Sequence, residues 1–178
     1  SILDTLKDRQ GGVKKSADWY RKNVTSLADR VTARRLMNQG KLIGRPSVGR
    51  LNMFFYDPKT KARLPYYDVF PLVLPLESIK GGFMGLNFHY LPYILRFRLL
   101  ERLQKFADGG MKSTTKFTAN YDDVKVINLV KPTIKKYLYN QTRSQFLRID
   151  FDEAALAAYL PVQQFRKAGT GRVWSDSR

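Results

Sequence analysis

The chain has 178 residues, with 32 Lys and Arg against 15 Asp and Glu for a formal net charge of +17, and it is 43% hydrophobic and 13% aromatic. That aromatic content excludes a disordered basic tail, which lacks the apolar surface to offset the entropy of ordering, and the length suits one ordinary domain with an appended arm rather than two domains. The absence of cysteine excludes disulfides and thiolate catalysis. No apolar run approaches the roughly eighteen residues of a membrane span and the amino terminus lacks a signal-peptide core, so the reading is of a soluble intracellular product with no membrane partner.

Residues 1–50 read as a basic helical arm and linker. Ser16 is placed to cap a helix whose apolar positions Tyr20, Val24, Leu27 and Val31 recur at helical spacing, and Gly40 lies where that helix would stop. The apolar stripe is narrow, leaving Arg21, Lys22, Arg30, Arg34 and Arg35 around much of the circumference, so the helix could dock along one seam or be a solvated cationic face. Lys41 to Arg50, broken by Gly44, Pro46 and Gly49, reads as a basic linker.

From Leu51 the pattern turns to strands. Leu51–Tyr56 is a short apolar run ending at the turn sequence Asp57-Pro58-Lys59-Thr60, where Pro58 presets φ and Asp57 can bond the backbone ahead of it. Val69–Leu76 is a second run, and its prolines Pro71 and Pro75 remove ladder donors, which predicts an edge or irregular strand. After Gly81-Gly82, Phe83–His89 is a third strand candidate.

The second half reads as mainly helical. A helix from Tyr93 to Phe106 begins after Pro92, with Leu95, Leu99, Leu100 and Leu103 opposite Arg98, Glu101, Arg102 and Lys105, and with Glu101 and Lys105 spaced for an ion pair. Asp108-Gly109-Gly110 is a turn, a shorter element follows near Tyr121–Leu129, and Pro132 opens a predicted helix through Phe146 with Ile134, Tyr137 and Leu138 as its buried side. An extended piece, Leu147–Phe151, precedes a short helix capped by Asp152 and ended by Pro161, and the stretch up to Trp174 and Arg178 reads as a tail anchored by one aromatic. The expected fold is α+β: a small antiparallel sheet or partial barrel with a helical amino-terminal arm and a helical carboxy-terminal lobe, residues 51–178 forming a single domain.

Little in the sequence supports catalysis. His89 is the one histidine and reads as a hydrogen-bonded structural residue, too few nitrogen and sulfur ligands for a zinc site. No serine sits in a nucleophile elbow, and Gly81-Gly82 and Gly85 lack the Gly-Lys-Ser or Gly-Lys-Thr of a phosphate loop. The carboxylates Asp150, Asp152 and Glu153, and the acid-x-Lys spacing of Asp123 and Lys125, leave a metal-dependent nuclease open as an alternative. A solvated loop and a helix cap account for the same residues. No catalytic residue, metal site or cofactor is assigned.

The excess charge implies a counter-charged neighbour, because like charges destabilise a compact state unless something anionic screens them. Nucleic acid leads; an acidic protein surface and an anionic membrane face are the competitors. Basic residues spread over arm, linker and both long helices suit phosphate contacts without sequence preference. The expected contact residues are Arg21, Lys22, Arg30, Arg34, Arg35, Lys41, Arg45, Arg50, Arg98, Arg102, Lys131, Lys135, Lys136 and Arg143. Aromatics such as Phe54, Phe55, Tyr56, Tyr66 and Tyr67 could stack on bases, although core packing is the better explanation for them. Zinc-finger, basic-zipper and RNP-type patterns are lacking. The proline-interrupted strand and aromatic tail also suit docking onto neighbouring subunits of a particle.

At Tyr56–Lys61, Leu64–Leu72, Gly82–Pro92, Lys131–Leu138 and Val173–Ser177 the chain resembles a family of virion-associated proteins of T4-like tailed phages, of the DNA end protector type. The resemblance covers most of residues 50–178 and leaves the basic arm outside. It implies a virion location near the head-tail region, double-stranded DNA and other virion proteins in a symmetric assembly as partners, and shielding of the genome terminus from exonucleases. A neck, tail or baseplate subunit whose basic surface docks acidic partners is the rival reading. No catalytic residues are implied.

Overall fold

A computed structural model describes residues 1–110 and 112–177. Its helices are α1 (Ile2–Gln10), α2 (Ala17–Asn23), α3 (Ala33–Gln39), α4 (Tyr93–Leu103), α5 (Tyr121–Val124), α6 (Ala154–Tyr159) and α7 (Thr170–Asp176). The strands are β1 (Leu42–Ile43), β2 (Leu51–Met53), β3 (Tyr67–Asp68), β4 (Leu72–Ile79), β5 (Gly82–Asn87), β6 (Ala107–Asp108), β7 (Lys116–Phe117), β8 (Ile134–Leu138), β9 (Phe146–Ile149) and β10 (Phe165–Arg166). Six strands form one open antiparallel sheet in the order β1-β9-β2-β4-β5-β8, and β10-β3 and β6-β7 form two small ladders. The fold is α+β, as expected from the sequence, and the sheet does not close into a barrel. No helix among the described residues is long and apolar enough to cross a membrane.

Strand alternation divides the sheet into two faces. Leu51, Met53, Leu72, Leu74, Leu86, Leu147 and Ile149 point into the main core, against apolar residues of α1, α2, α3, α4 and α6. Phe54, Val73, Phe83, Tyr137 and Phe146 alternate with them and, with Tyr56, form a second, aromatic cluster on the opposite face. Its rings meet at short range: Phe54 and Phe146 lie 4.6 Å apart and Phe83 stacks on Tyr137 at 5.5 Å. Gly82 is required where the sheet is tightest, since a Cβ there would lie 1.9 Å from the Tyr137 carbonyl oxygen on the neighbouring strand. Gly81, at φ 76°, closes the turn between β4 and β5.

The structure corrects several sequence expectations. The helix expected between Ser16 and Gly40 is two helices with a break, and α1 precedes them. Ser16 does cap α2, accepting from Trp19 N, but Thr32 caps a fresh start at α3, accepting from Arg35 N. A second cap overrode the continuous periodicity. The apolar sides of these three helices, including Leu3, Leu6, Tyr20, Val24, Ala33 and Leu36, are buried in the main core.

No helix runs from Pro132 to Phe146. Pro132 belongs to a 3₁₀ turn, after which the chain forms β8, a second 3₁₀ turn and β9. Ile134, Tyr137 and Leu138 fit a helical stripe by coincidence. In the sheet, Tyr137 faces the aromatic cluster beside Phe83 while Ile134, across from Leu86, packs on the main core. β4 is irregular as expected, with a bulge between Pro75 and Glu77, but it is an interior strand flanked by β2 and β5. The short β2 registers with only Val73 and Leu72, so Pro75 lies beyond that ladder and its missing N–H is not needed.

Asp150, not Asp152, heads the segment before α6, in a reciprocal capping box with Glu153. Glu101 lies 3.8 Å from Lys14 of the amino-terminal segment, and among the described residues it makes no ion pair with Lys105. The stretch before Ser177 is the helix α7, anchored as expected by its tryptophan, whose Nε1 donates to the His89 carbonyl at 2.9 Å. Arg178 lies outside the described residues.

Two buried polar groups lock these elements together. The Arg96 guanidinium is fully buried and donates to the carbonyls of Leu91 (2.7 Å), Ala158 (3.0 Å) and His89 (3.2 Å). It packs over the Tyr93 and Trp174 rings. Burial lowers its pKa to about 10, leaving it charged at neutral pH. Asp68 accepts from the Phe70 and Gln164 amides through one oxygen and from Asn87 Nδ2 through the other, which also lies 2.8 Å from His89 Nδ1.

Burial alone would raise the Asp68 carboxyl, but His89 and the hydrogen bonds carry it below its usual value. Burial pushes the His89 imidazole down, against the upward pull of Asp68. Both folded-state values lie below the unfolded ones, so the stability they confer is present above the unfolded values and is lost as pH falls through the folded ones. Thermal melting should therefore drop as pH is lowered from about 6.5, the unfolded histidine value, toward about 4. His89→Gln should flatten the upper part of that decline; an unchanged slope would contradict the assignment. Arg96→Leu strands three buried carbonyls and should cost about 3–5 kcal/mol in urea denaturation.

Candidate nucleic-acid interface

The basic residues expected from the sequence separate into distinct settings. Arg21 and Lys22 project from α2 but share Asp18, at 2.7 and 3.1 Å. Arg50 is half-buried, its guanidinium donating to the Thr115 carbonyl at 3.2 Å, which ties the segment entering β2 to the stretch before β7. Arg98 and Arg102 are exposed on the outer face of α4, and Lys41 and Lys131 are exposed beside β1 and β8. Arg45 lies over the Tyr139 ring at 4.4 Å.

Arg30 and Arg35 come together in a cleft of about 250 Å³ between α1 and α3, floored by Leu6, Leu27 and Val31. The cleft adds Arg9, a cation the sequence reading missed because α1 was not recognised. Its signal was present: Ser1 accepts from the Asp4 amide in the Ser-x-x-Asp pattern of a helix start.

Arg34, Arg143, Lys135 and Lys136 meet on one surface. Arg34 and Arg143 line a cleft with Tyr56, Asp57 and Tyr67. The next groove, of about 460 Å³, shares Tyr56 and Tyr67 and adds Lys135 and Lys136 of β8, together with Lys59 from the turn, which the sequence reading had not counted among the contacts. Lys135 is half-buried, with its ammonium 4.5 Å from the centre of the Tyr90 ring, and burial depresses its pKa. Arg143 also donates to the carbonyls of Asn140 and Thr142 and lies 3.5 Å from Asp57.

The aromatics divide between core and surface. Phe54 and Tyr56 are buried in the aromatic cluster, as core packing requires, whereas Tyr66 and Tyr67 are half-buried and line the groove. His89 is the hydrogen-bonded structural residue expected of it.

The acidic cluster that kept a nuclease reading open has structural partners. Asp150, Asp152 and Glu153 bring ligand atoms within 4.8 Å of one another. Glu153 accepts from the Asp150 amide at 2.9 Å, Asp150 lies 3.1 Å from Arg148, and Asp152 lies 3.4 Å from Lys7. Asp123 closes a capping box with Asn120, and Lys125 pairs with Asp122 at 2.9 Å. Most of these oxygens thus have cation or capping partners, while Asp152 Oδ1 is buried without a hydrogen-bond partner among the described residues.

Residues 3–177 match the model of a protein family described as phage T4 terminal DNA protecting protein. That span includes the basic amino-terminal helices, which the resemblance seen in the sequence had left outside. Neither the curated proteins nor the solved structures provide a match. With nearly the whole chain covered, from α1 through α7, this protein belongs to the phage T4 terminal DNA protecting protein family.

Proposed function

We propose that this protein is a non-enzymatic virion component near the head-tail region that covers the end of packaged double-stranded DNA through phosphate contacts without sequence preference. The observation carrying the reading is the match over residues 3–177 to a family described as protecting terminal DNA. The surface supports it: Arg34, Lys135, Lys136 and Arg143 collect around one pair of clefts, and Arg30 and Arg35 around another. Distributed cations of this kind neutralise phosphates and release counterions, giving affinity without base readout. Other virion proteins in a symmetric assembly complete the partner set.

Binding to a blunt linear duplex should weaken by about a hundredfold or more between roughly 50 and 200 mM salt, with little dependence on sequence. A flat salt response, or no binding at low salt, would remove DNA as the partner. Arg34→Ala and Lys41→Ala should each reduce the magnitude of the log–log salt slope by about one. Arg50→Ala, whose guanidinium is occupied by the Thr115 carbonyl, should instead lower the melting temperature and leave the slope unchanged. Linear DNA incubated with the protein and Mg²⁺ or Mn²⁺ should remain intact and should resist added exonuclease. Cleavage abolished by Asp150→Ala would establish the nuclease alternative.

A further inference from the structure

The groove between β3 and β8 combines aromatic walls with uncompensated charge. One wall carries Tyr66 and Tyr67; the other is the edge strand β8 with Lys135 and Lys136. The loop contributing Lys59 is held at both ends. Lys61 pairs with Asp57 at 3.0 Å, and Lys167 Nζ reaches over to donate to the Leu64 carbonyl at 3.0 Å. That loop is therefore preformed.

The groove's own acid cannot neutralise its lysines. Asp68 lies in the lining, but its oxygens are occupied by the Phe70 and Gln164 amides, Asn87 and His89. Among the described residues no carboxylate lies within ion-pair distance of Lys59, Lys135 or Lys136. Lys135 is moreover half-buried against Tyr90, so its ammonium is partly desolvated with only a ring face as partner. A half-buried cation without a counter-ion, in a groove open to solvent, points to an anion supplied from outside. The flanking tyrosine rings offer faces on which a base can stack. The volume of about 460 Å³ lies within the range of small-ligand sites, roughly 300–1,000 Å³, and is too small for a stacked duplex.

We infer that this groove holds an unpaired terminal nucleotide of DNA, its base against Tyr66 and Tyr67 and its phosphate between Lys135 and Lys136. The inference rests on the proposed function and specifies what the end-binding surface takes from the DNA end. Aromatic stacking and phosphate neutralisation are both indifferent to base identity, so the site adds preference for an end without adding sequence preference. Free nucleotides share this chemistry, and what separates the two sources is the contiguous duplex, which the neighbouring Arg34 and Arg143 cleft is placed to engage.

The test compares full-length protein binding to a blunt duplex, to the same duplex with a short single-stranded overhang, and to dAMP, at one salt concentration. The overhang duplex should bind about tenfold tighter than the blunt one, and dAMP far more weakly than either. Tyr67→Ala should abolish most of the overhang preference while retaining blunt-duplex binding to within a few-fold. Lys136→Ala, which also removes a cation from the duplex-binding surface, should weaken binding to both duplexes and weaken the overhang duplex more, so that the preference falls. Tyr67→Phe, which keeps the ring face, should retain the preference. Circular dichroism melting identifies any variant that fails to fold, and the Tyr67→Phe and Lys136→Ala pair then carries the comparison. Equal affinity for blunt and overhang duplexes, or a preference that survives both disruptive substitutions, overturns the inference. So does dAMP binding as tightly as the overhang duplex. Steeply salt-dependent blunt-duplex binding without an overhang preference leaves the proposed function standing, whereas no duplex binding at low salt overturns that function itself.

Discussion

The structure depends on keeping buried charge fully hydrogen-bonded. Arg96 and Asp68 are both removed from solvent, and an ion so placed destabilises the fold by several kcal/mol unless its hydrogen-bonding capacity is met. Arg96 meets that requirement by gathering carbonyls from Leu91, His89 and Ala158, which brings together the start of α4, the 3₁₀ turn after β5 and the end of α6. Asp68 gathers donors from Asn87, His89, Phe70 and Gln164, fixing β3 beside β5 and the approach to β10. Neither set closes without the other, because His89 contributes its ring to Asp68 and its carbonyl to Arg96.

This constraint shapes the surface above it. Tyr66 and Tyr67 lead directly into Asp68, and Tyr90 follows His89, so the groove is lined by neighbours of the two anchors. The column of aromatic contacts from Tyr20 through Tyr159 to Tyr93 and Trp174 extends the same order into the helices. Rigid walls favour the nucleotide binding inferred for this groove, because little ordering entropy is then left to oppose it.

The distribution of the few acids explains how a net charge of +17 becomes a set of positive surface clefts. Asp18, Asp122 and Asp176 pair with cations on their own helix or just beyond it, while Asp123 and Asp150 serve as caps and Asp68 is internal. Carboxylates engaged in local pairing and capping leave the clefts around Arg30, Arg34 and Lys136 positive. Such a surface repels itself and is relieved by a polyanion, which agrees with the family to which nearly the whole chain belongs.

Features with a local cause could be read directly from the chain. Ser16 caps its helix because a hydroxyl before an apolar-periodic run satisfies orphan amides; Gly81 turns the β4–β5 hairpin because its backbone tolerates positive φ; and α4 shows its buried leucines at helical spacing. The charge excess and the family resemblance are likewise properties of residue identity and order. Tertiary structure decided what depends on partners distant in sequence. Ile134–Leu138 carries a pattern compatible with helix or strand, and the available edge of β5 with Phe83 waiting for Tyr137 selected the strand. Likewise, the lysines of β8 share a groove with tyrosines some seventy residues earlier only because β3 and β8 border the same space. Local sequence sets propensities worth fractions of a kcal/mol per residue; burial of whole side chains against a particular neighbour is worth several times more, and it alone determines which charges and rings become a site.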